Sequence, residues 1–294
     1  MDTENFIKLC KKLHNSAEKF DGVKGLSDIS KLGNKTKIIA FIAIFAAMYA
    51  VLRRIPTVPM VGVAGASFSL SDVAAPIYGA ILGPFTGGLS VVVGTFLAMA
   101  LGKSAPFLGL DFLPAAVNVI AISLLLKRKW LIVVILNAVL LVTFLLHPFT
   151  SILVNITIGE TTFSFPFAWM HIVAFVVLIS PLGRKASNWI LTLEPYNIAK
   201  GLTVLAFVGT MMQHLMGNLL YETIFGQVLQ YYSQVDFATI IWPSVFFLYP
   251  LERFALVVLS VVIGIPLVRI LKKTFFADND SKLSKTANNL TVAS

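Results

Sequence analysis

The sequence predicts an all-α fold: a polytopic membrane helix bundle of about eight transmembrane helices, with both termini in the cytosol. Three observations carry this expectation. Of the 294 residues, 57% are hydrophobic and only 13% are charged, about half the charge of a soluble domain. The mean hydropathy is +0.85, and the apolar residues gather into runs that approach the ~20 residues needed to cross a ~30 Å hydrocarbon core. The formal charge of +9 sits in short basic clusters between those runs, a pattern that orients a membrane protein rather than one that binds nucleic acid.

The runs place spans at 38–55, 70–83, 85–102, 110–126, 130–147, 166–181, 201–224 and 244–271. Residues 1–37 read as a polar, basic cytoplasmic leader with eight lysines against five acids, and they lack the apolar core of a cleavable signal peptide. Phe6, Leu9 and Leu13 share one face of a helix, so the leader is either an amphipathic helix on anionic lipid or a solvated tail. Residues 38–273 form the transmembrane bundle, and 274–294 read as a disordered cytoplasmic tail. The single cysteine, Cys10, excludes a disulfide within the chain.

Orientation follows from the basic clusters. Lys127-Arg128-Lys129, Arg184-Lys185 with Lys200, and Arg269 with Lys272-Lys273 all fall on the cytoplasmic side with the leader. The opposite loops, 148–165 and 225–243, contain no Lys or Arg. Arg53-Arg54 and Lys103 are the exceptions, because they fall outside.

With that topology, the ionisable groups lie in the outer half. Asp72 and Asp111 open spans two and four, and His147 ends span five. His171 lies just inside span six, and Tyr221 and Glu222 close span seven. Glu252 and Arg253 are roughly 12 Å into span eight. Charges inside a membrane are costly and tend to be functional, so the bundle reads as a cup open to the exterior. His214, Gly217, Asn218, Tyr221 and Glu222 recur at i, i+3, i+4, i+7 and i+8 and make a polar stripe, with Gln213 beside it. Such a stripe either lines a wet cavity or forms a hydrogen-bonded seam to a neighbouring helix. The candidate substrate-binding residues are Asp72, Gln213, His214, Asn218, Tyr221, Glu222, Glu252 and Arg253. Glu252 and Arg253 are adjacent, so they point about 100° apart on a helix and need not pair.

Catalytic and metal chemistry find no support. The histidines lack H-x-x-x-H or H-E-x-x-H spacing, so neither a metal nor a cofactor is expected. Gly102-Lys103-Ser104 looks like part of a phosphate loop, but Leu97 stands where its first glycine belongs. No spacing of carboxylates supports an enzyme. An intramembrane enzyme on a lipid or prenyl substrate is a weaker alternative, and a structural subunit of a larger membrane complex is another.

Two small-residue patterns remain. Gly83-Pro84 and Gly87-Gly88 read as a tight cytoplasmic turn between spans two and three. Ala43, Ala46, Ala47 and Ala50, with Ala40, give the first span a small face of AxxxA pairs, used either for packing within the bundle or for docking a partner. With this face, "SLSDVAAPIYGAILGPFTGGLSVVVG", "LDFLPAAVNVIAISLLLKRK" and "YPLERFALVVLSVVIGIPLVRILKK" resemble the substrate-binding (S) components of energy-coupling factor (ECF) transporters over about half of the chain. The resemblance implies a non-enzymatic subunit of the plasma membrane that holds a vitamin or similar micronutrient in an outward-facing cavity. It implies docking through Ala43, Ala46, Ala47 and Ala50 onto a transmembrane coupling subunit that works with two ABC-type ATPases. The loop Ile55–Ser71 would be the lid, and the whole subunit would topple to release its ligand inside. The family's core has fewer helices than the eight read here, so either spans five and six or spans seven and eight are an added pair.

Overall fold

A computed structural model describes residues 35–291, and the fold is all-α with two small β-hairpins. Most of the leader, including Phe6, Leu9 and Leu13, lies outside the described residues. Helix α1 (Lys35–Arg54) leads into a hairpin of β1 (Pro56–Pro59) and β2 (Ser67–Ser69), and then into α2 (Ser71–Ile81). In α2 all eleven residues are buried. At 1.5 Å per residue it is about 16 Å long, too short to cross a ~30 Å core alone. It persists because α1, α4, α8 and α9 enclose it, so its polar end meets protein rather than lipid. Pro76 removes an N–H from the middle of α2, and side chains of the surrounding helices bond to its carbonyls. Ser260 Oγ donates to the Val73 carbonyl at 3.0 Å and Ser123 Oγ to the Gly79 carbonyl at 2.9 Å.

Helix α3 (Pro84–Ala100) starts at the expected bend. Gly83 takes a φ of +82°, a conformation that side chains resist, and Pro84 occupies the first helical turn, where its missing N–H costs nothing. Gly87 and Gly88, expected in the turn, instead lie inside α3. A Cβ on Gly87 would stand 2.8 Å from Val119 Cγ1, so its smallness serves packing against α4 (Leu113–Leu126). Helices α1 and α3 pack most closely at Gly94, where a Cβ would come 2.7 Å from the Ala46 carbonyl oxygen and 2.9 Å from Tyr49 Cβ.

Helix α5 (Trp130–Leu146) precedes a second hairpin, β3 (Leu153–Ile158) with β4 (Thr161–Pro166), paired in register from Leu153↔Pro166 to Ile158↔Thr161. Then come α6 (Trp169–Ile179) and α7 (Pro181–Leu191), bent by 67° at Ser180. Ser180 is extended and its Oγ accepts from the Leu182 N–H, capping α7. The sequence reading has no helix at α7 and starts span seven at 201. The structure starts α8 (Pro195–Tyr221) at Pro195, a proline suited to a helix's first turn. Helix α8 packs against α2, α4, α5, α6, α7 and α9, and continues into a π-helical turn, Glu222–Val228. A Ser233/Asp236 capping box and a second π turn, Phe237–Ile241, lead into α9 (Trp242–Thr291). Residues 274–291, expected as a disordered tail, continue α9, since no Gly or Pro follows Pro266 to break the helix.

The continuous helical stretches Pro195–Val228 and Gln234–Leu271 are long and apolar enough to cross a membrane, and the bent α6–α7 pair is a third if it counts as one span. Helices α3, α4 and α5 are shorter and apolar. Leu131, Ile135, Val139 and Val142 on α5, and Leu251, Phe254, Val258 and Val262 on α9, are exposed. Apolar faces of this extent mark contact with lipid rather than water, and the chain is membrane-associated. Two of the basic clusters come together at one end of the bundle. Arg184 lies 4.2 Å over the Trp130 ring, next to Lys127-Arg128-Lys129, and Trp130 Nε1 donates to the Leu178 carbonyl at 2.7 Å.

Gly94→Val tests the α1–α3 contact. The added bulk meets backbone, so the expected loss is about 1–3 kcal/mol, read as a lower unfolding temperature of the purified protein in detergent. An unchanged transition would contradict the contact.

Candidate chamber at one end of the bundle

The starts of α2, α4 and α9 and the ends of α1 and α8 meet at the end of the bundle away from the basic turns. Between them lies a chamber with about 110 Å³ of free space. The β1–β2 hairpin forms its roof and the segment after α3 closes one side. Residues of α5, α6 and α7 do not line it. The roof is tied down at its tip: Tyr221 Oη donates to the Val61 carbonyl at 2.9 Å, and Tyr232 Oη donates to the Gly62 carbonyl. Gly62 has a φ of +74°, and a Cβ there would stand 2.7 Å from Tyr221 Oη. Glycine is therefore required at the tip for both conformation and space.

The wall is polar and buried. Asn118 Nδ2 donates to Gln213 Oε1 at 2.7 Å, and Gln213 Nε2 donates to Asp72 Oδ1 at 2.8 Å. This chain links α4, α8 and α2 across the base of the chamber. Asp72 also lies within Coulombic reach of Arg253, Arg53 and Glu252. Arg253 is only 1% exposed. Its Nη2 stands 2.8 Å from Glu252 Oε1, but too obliquely for a hydrogen bond, so Glu252 Oε1 and Arg253 Nε lack hydrogen-bond partners among the described residues. His214 Nδ1 is 3.0 Å from His171 Nε2, so one ring donates to the other. The two rings stack at 7°, and Tyr249 stacks on His214 with centroids 5.0 Å apart. The Asn218 amide, 7% exposed, leaves Nδ2 without a hydrogen-bond partner.

Of the eight residues expected to bind substrate, Asp72, Gln213, His214, Asn218, Tyr221, Glu252 and Arg253 line this one chamber. Glu222 does not, and that expectation is corrected. Eight residues at 100° each carry it about 80° round α8 from His214, and the helix begins its π turn there. Its carboxylate turns towards the end of α5, where Thr150 Oγ1 donates to it at 2.6 Å and His147 Nδ1 is 3.0 Å away. Glu252 and Arg253 do pair, although adjacent helical positions diverge, because both side chains are long enough to bend back towards each other. The alanine face divides: Ala46 and Ala50 are buried inside the bundle, while Ala43 and Ala47 are exposed.

Three charged residues missing from the candidate set also line the chamber: Arg53, Lys103 and Asp111. Arg53 Nη2 lies 3.8 Å from Asp111 Oδ1 and donates to the Asp111 carbonyl at 3.3 Å. Lys103 Nζ donates to the Ser67 carbonyl and to Ser67 Oγ, both at 3.0 Å. Partial burial, with Arg53 nearby, lowers the Lys103 amine from its ordinary pKa. The signal for two of them was present in the sequence, because Arg53 and Lys103 break the charge asymmetry that orients the bundle. The chamber supplies the reason for their position.

Among the described residues no group of three or more His, Cys, Asp or Glu is placed to hold a metal ion. The arrangement has what recognition requires, namely charges, amides and aromatic side chains around a partly open concave space. No protein-family model, curated protein or solved structure matches the chain.

Gln213→Leu removes a donor from Asp72 and an acceptor from Asn118 while keeping most of the volume. Leaving buried polar partners unmatched costs about 1–3 kcal/mol, so the unfolding temperature should fall, whereas Gln213→Glu or Gln213→Met provides a comparison of similar size. If Gln213→Leu is as stable as the parent, the amide chain is not a structural tie.

Proposed function

We propose that this chain is the substrate-binding subunit of an ECF-type uptake transporter, a multi-pass protein of the plasma membrane with both termini in the cytosol. In this reading the bundle has eight spans: α1 to α5, the bent α6–α7 pair, α8 and α9. The carrying observation is the convergence of seven separately expected polar residues on one roofed chamber, at the end of the bundle away from the basic turns. A packing seam would pair these groups with one another and leave no space between them. Here space remains, and several polar atoms in the wall lack hydrogen-bond partners among the described residues.

A vitamin-like or other micronutrient enters from outside and is held by Asp72, Asn218, Glu252 and Arg253, with Tyr249 and Trp242 as aromatic walls. The β1–β2 hairpin closes over it through the Tyr221 and Tyr232 hydroxyls. No bond in the ligand is made or broken, so the subunit is not an enzyme. Energy comes from a transmembrane coupling subunit carrying two ABC-type ATPases. Ala43 and Ala47 remain available on the exposed face of α1 for that docking, whereas Ala46 and Ala50 are buried inside the bundle. Because α5, α6 and α7 do not line the chamber, spans five and six are the pair added to the binding core.

Purification of the full-length chain from its native membrane tests the reading. The expected result is co-isolation of a membrane subunit and two ATPases, together with a retained small molecule found by mass spectrometry. A stable complex with neither ATPases nor ligand would favour a structural subunit, and turnover by the chain alone would favour an enzyme. The roof has its own test. Tyr221→Phe with Tyr232→Phe removes two hydrogen bonds of about 1 kcal/mol each, so the retained ligand should dissociate about tenfold faster or more. An unchanged release rate would remove the hairpin from the gating role.

A further inference from the structure

We infer that the ligand of this chamber is a compact zwitterion, carrying one anionic group and one protonated nitrogen. The inference rests on the binding-subunit reading and specifies what that site takes. Its basis is the charge inventory of the lining: three cations, Arg53, Lys103 and Arg253, face three carboxylates, Asp72, Asp111 and Glu252. The sum is zero. A ligand of net charge entering this apolar bundle would leave an uncompensated charge in a poorly solvated space, which is costly. The ligand is therefore neutral overall.

It is not uncharged throughout, because the six charges do not cancel in pairs. Arg53 takes Asp111 and Arg253 takes Glu252. Among the described residues that leaves Lys103 bonded only to neutral Ser67 oxygens, and Asp72 bonded only to the neutral Gln213 amide. One cation and one anion, in Coulombic reach of each other but with no direct ion-pair contact among the described residues, call for a guest that carries the complementary two. The pairs already formed keep spare capacity of both signs, since Arg53 Nε, Arg253 Nε and Glu252 Oε1 have no hydrogen-bond partner among the described residues. The guest's anionic group belongs beside Lys103 and Arg53, where the roof strand β2 also passes. Its protonated nitrogen belongs beside Asp72, in the chamber that Tyr249 and Trp242 also line. The small free space limits the guest to a compact molecule.

A four-member series with one ring and one backbone separates the charge classes. L-phenylalanine is the zwitterion, L-phenylalaninamide the cation, N-acetyl-L-phenylalanine the anion and N-acetyl-L-phenylalaninamide the neutral form. Each is titrated against the purified full-length chain by thermal unfolding, and small molecules extracted from the same preparation are identified by mass spectrometry. The expected outcome is that the extracted molecule is a zwitterion and that only the zwitterion of the series raises the unfolding temperature. In Asp72→Asn and in Lys103→Met its affinity should fall about 30-fold or more, the effect of removing one partner of a buried charge pair. The series on the parent protein stands even if either variant does not fold. Binding of a neutral or singly charged molecule, with ATPases still co-isolating, overturns the zwitterion and leaves the uptake subunit intact. No extracted molecule, no shift with any of the four and no ATPases overturns both.

Discussion

A charged side chain enclosed by an apolar bundle needs a partner, and the options are another protein group or something that enters from water. This constraint organises the protein. Asp72 opens a helix of eleven residues that is buried from end to end, and lipid cannot satisfy its carboxylate. Gln213 supplies one hydrogen bond and Asn118 holds Gln213, so three helices are fixed relative to one another by two bonds. The remaining need for charge compensation draws Arg53 from α1, Arg253 from α9 and Lys103 from the segment after α3 to the same place. The hairpin between α1 and α2 then covers a space that is polar inside a molecule that is apolar outside.

Much of this was legible in the sequence. Hydropathy located the helices because lipid demands long apolar runs, and Gly83-Pro84 marked the bend because only glycine accepts its backbone angles and proline starts the next helix without loss. The four-residue repeat of His214, Asn218 and the nearby Tyr221 gave the chamber-facing side of α8. Features set by tertiary geometry were not legible. Glu222 continues the stripe in sequence, but a π turn and the neighbouring Thr150 and His147 redirect it. Helix α7 is too polar to register as a span, and its start depends on Ser180 turning the chain. The alanines of α1 look alike in sequence, and packing buries Ala46 and Ala50 while leaving Ala43 and Ala47 exposed.

The charge rule was most informative where it was broken. Basic residues at the end of the bundle away from Lys127-Arg128-Lys129 depart from the clustering of the others, so they need another reason to be there. Arg53 and Lys103 have one, since each reaches into the chamber and meets an acceptor. The same comparison separates the two histidine sites. His214 lines the chamber with Tyr249 stacked on it and His171 contacting it from α6, whereas His147 lies with Glu222 near the end of α5, away from it. The second ties the end of α5 to the end of α8.

The central claim is that the chamber is a vacancy shaped for a guest rather than a gap left by packing. The most direct measurement is an experimental structure of the full-length protein isolated from its native membrane. The account expects density for a small non-protein molecule beneath the β1–β2 hairpin, in contact with Asp72 on one side and with Lys103 or Arg53 on the other. A chamber in which Asp72, Lys103, Glu252 and Arg253 close upon one another, with no room for a guest, would contradict it.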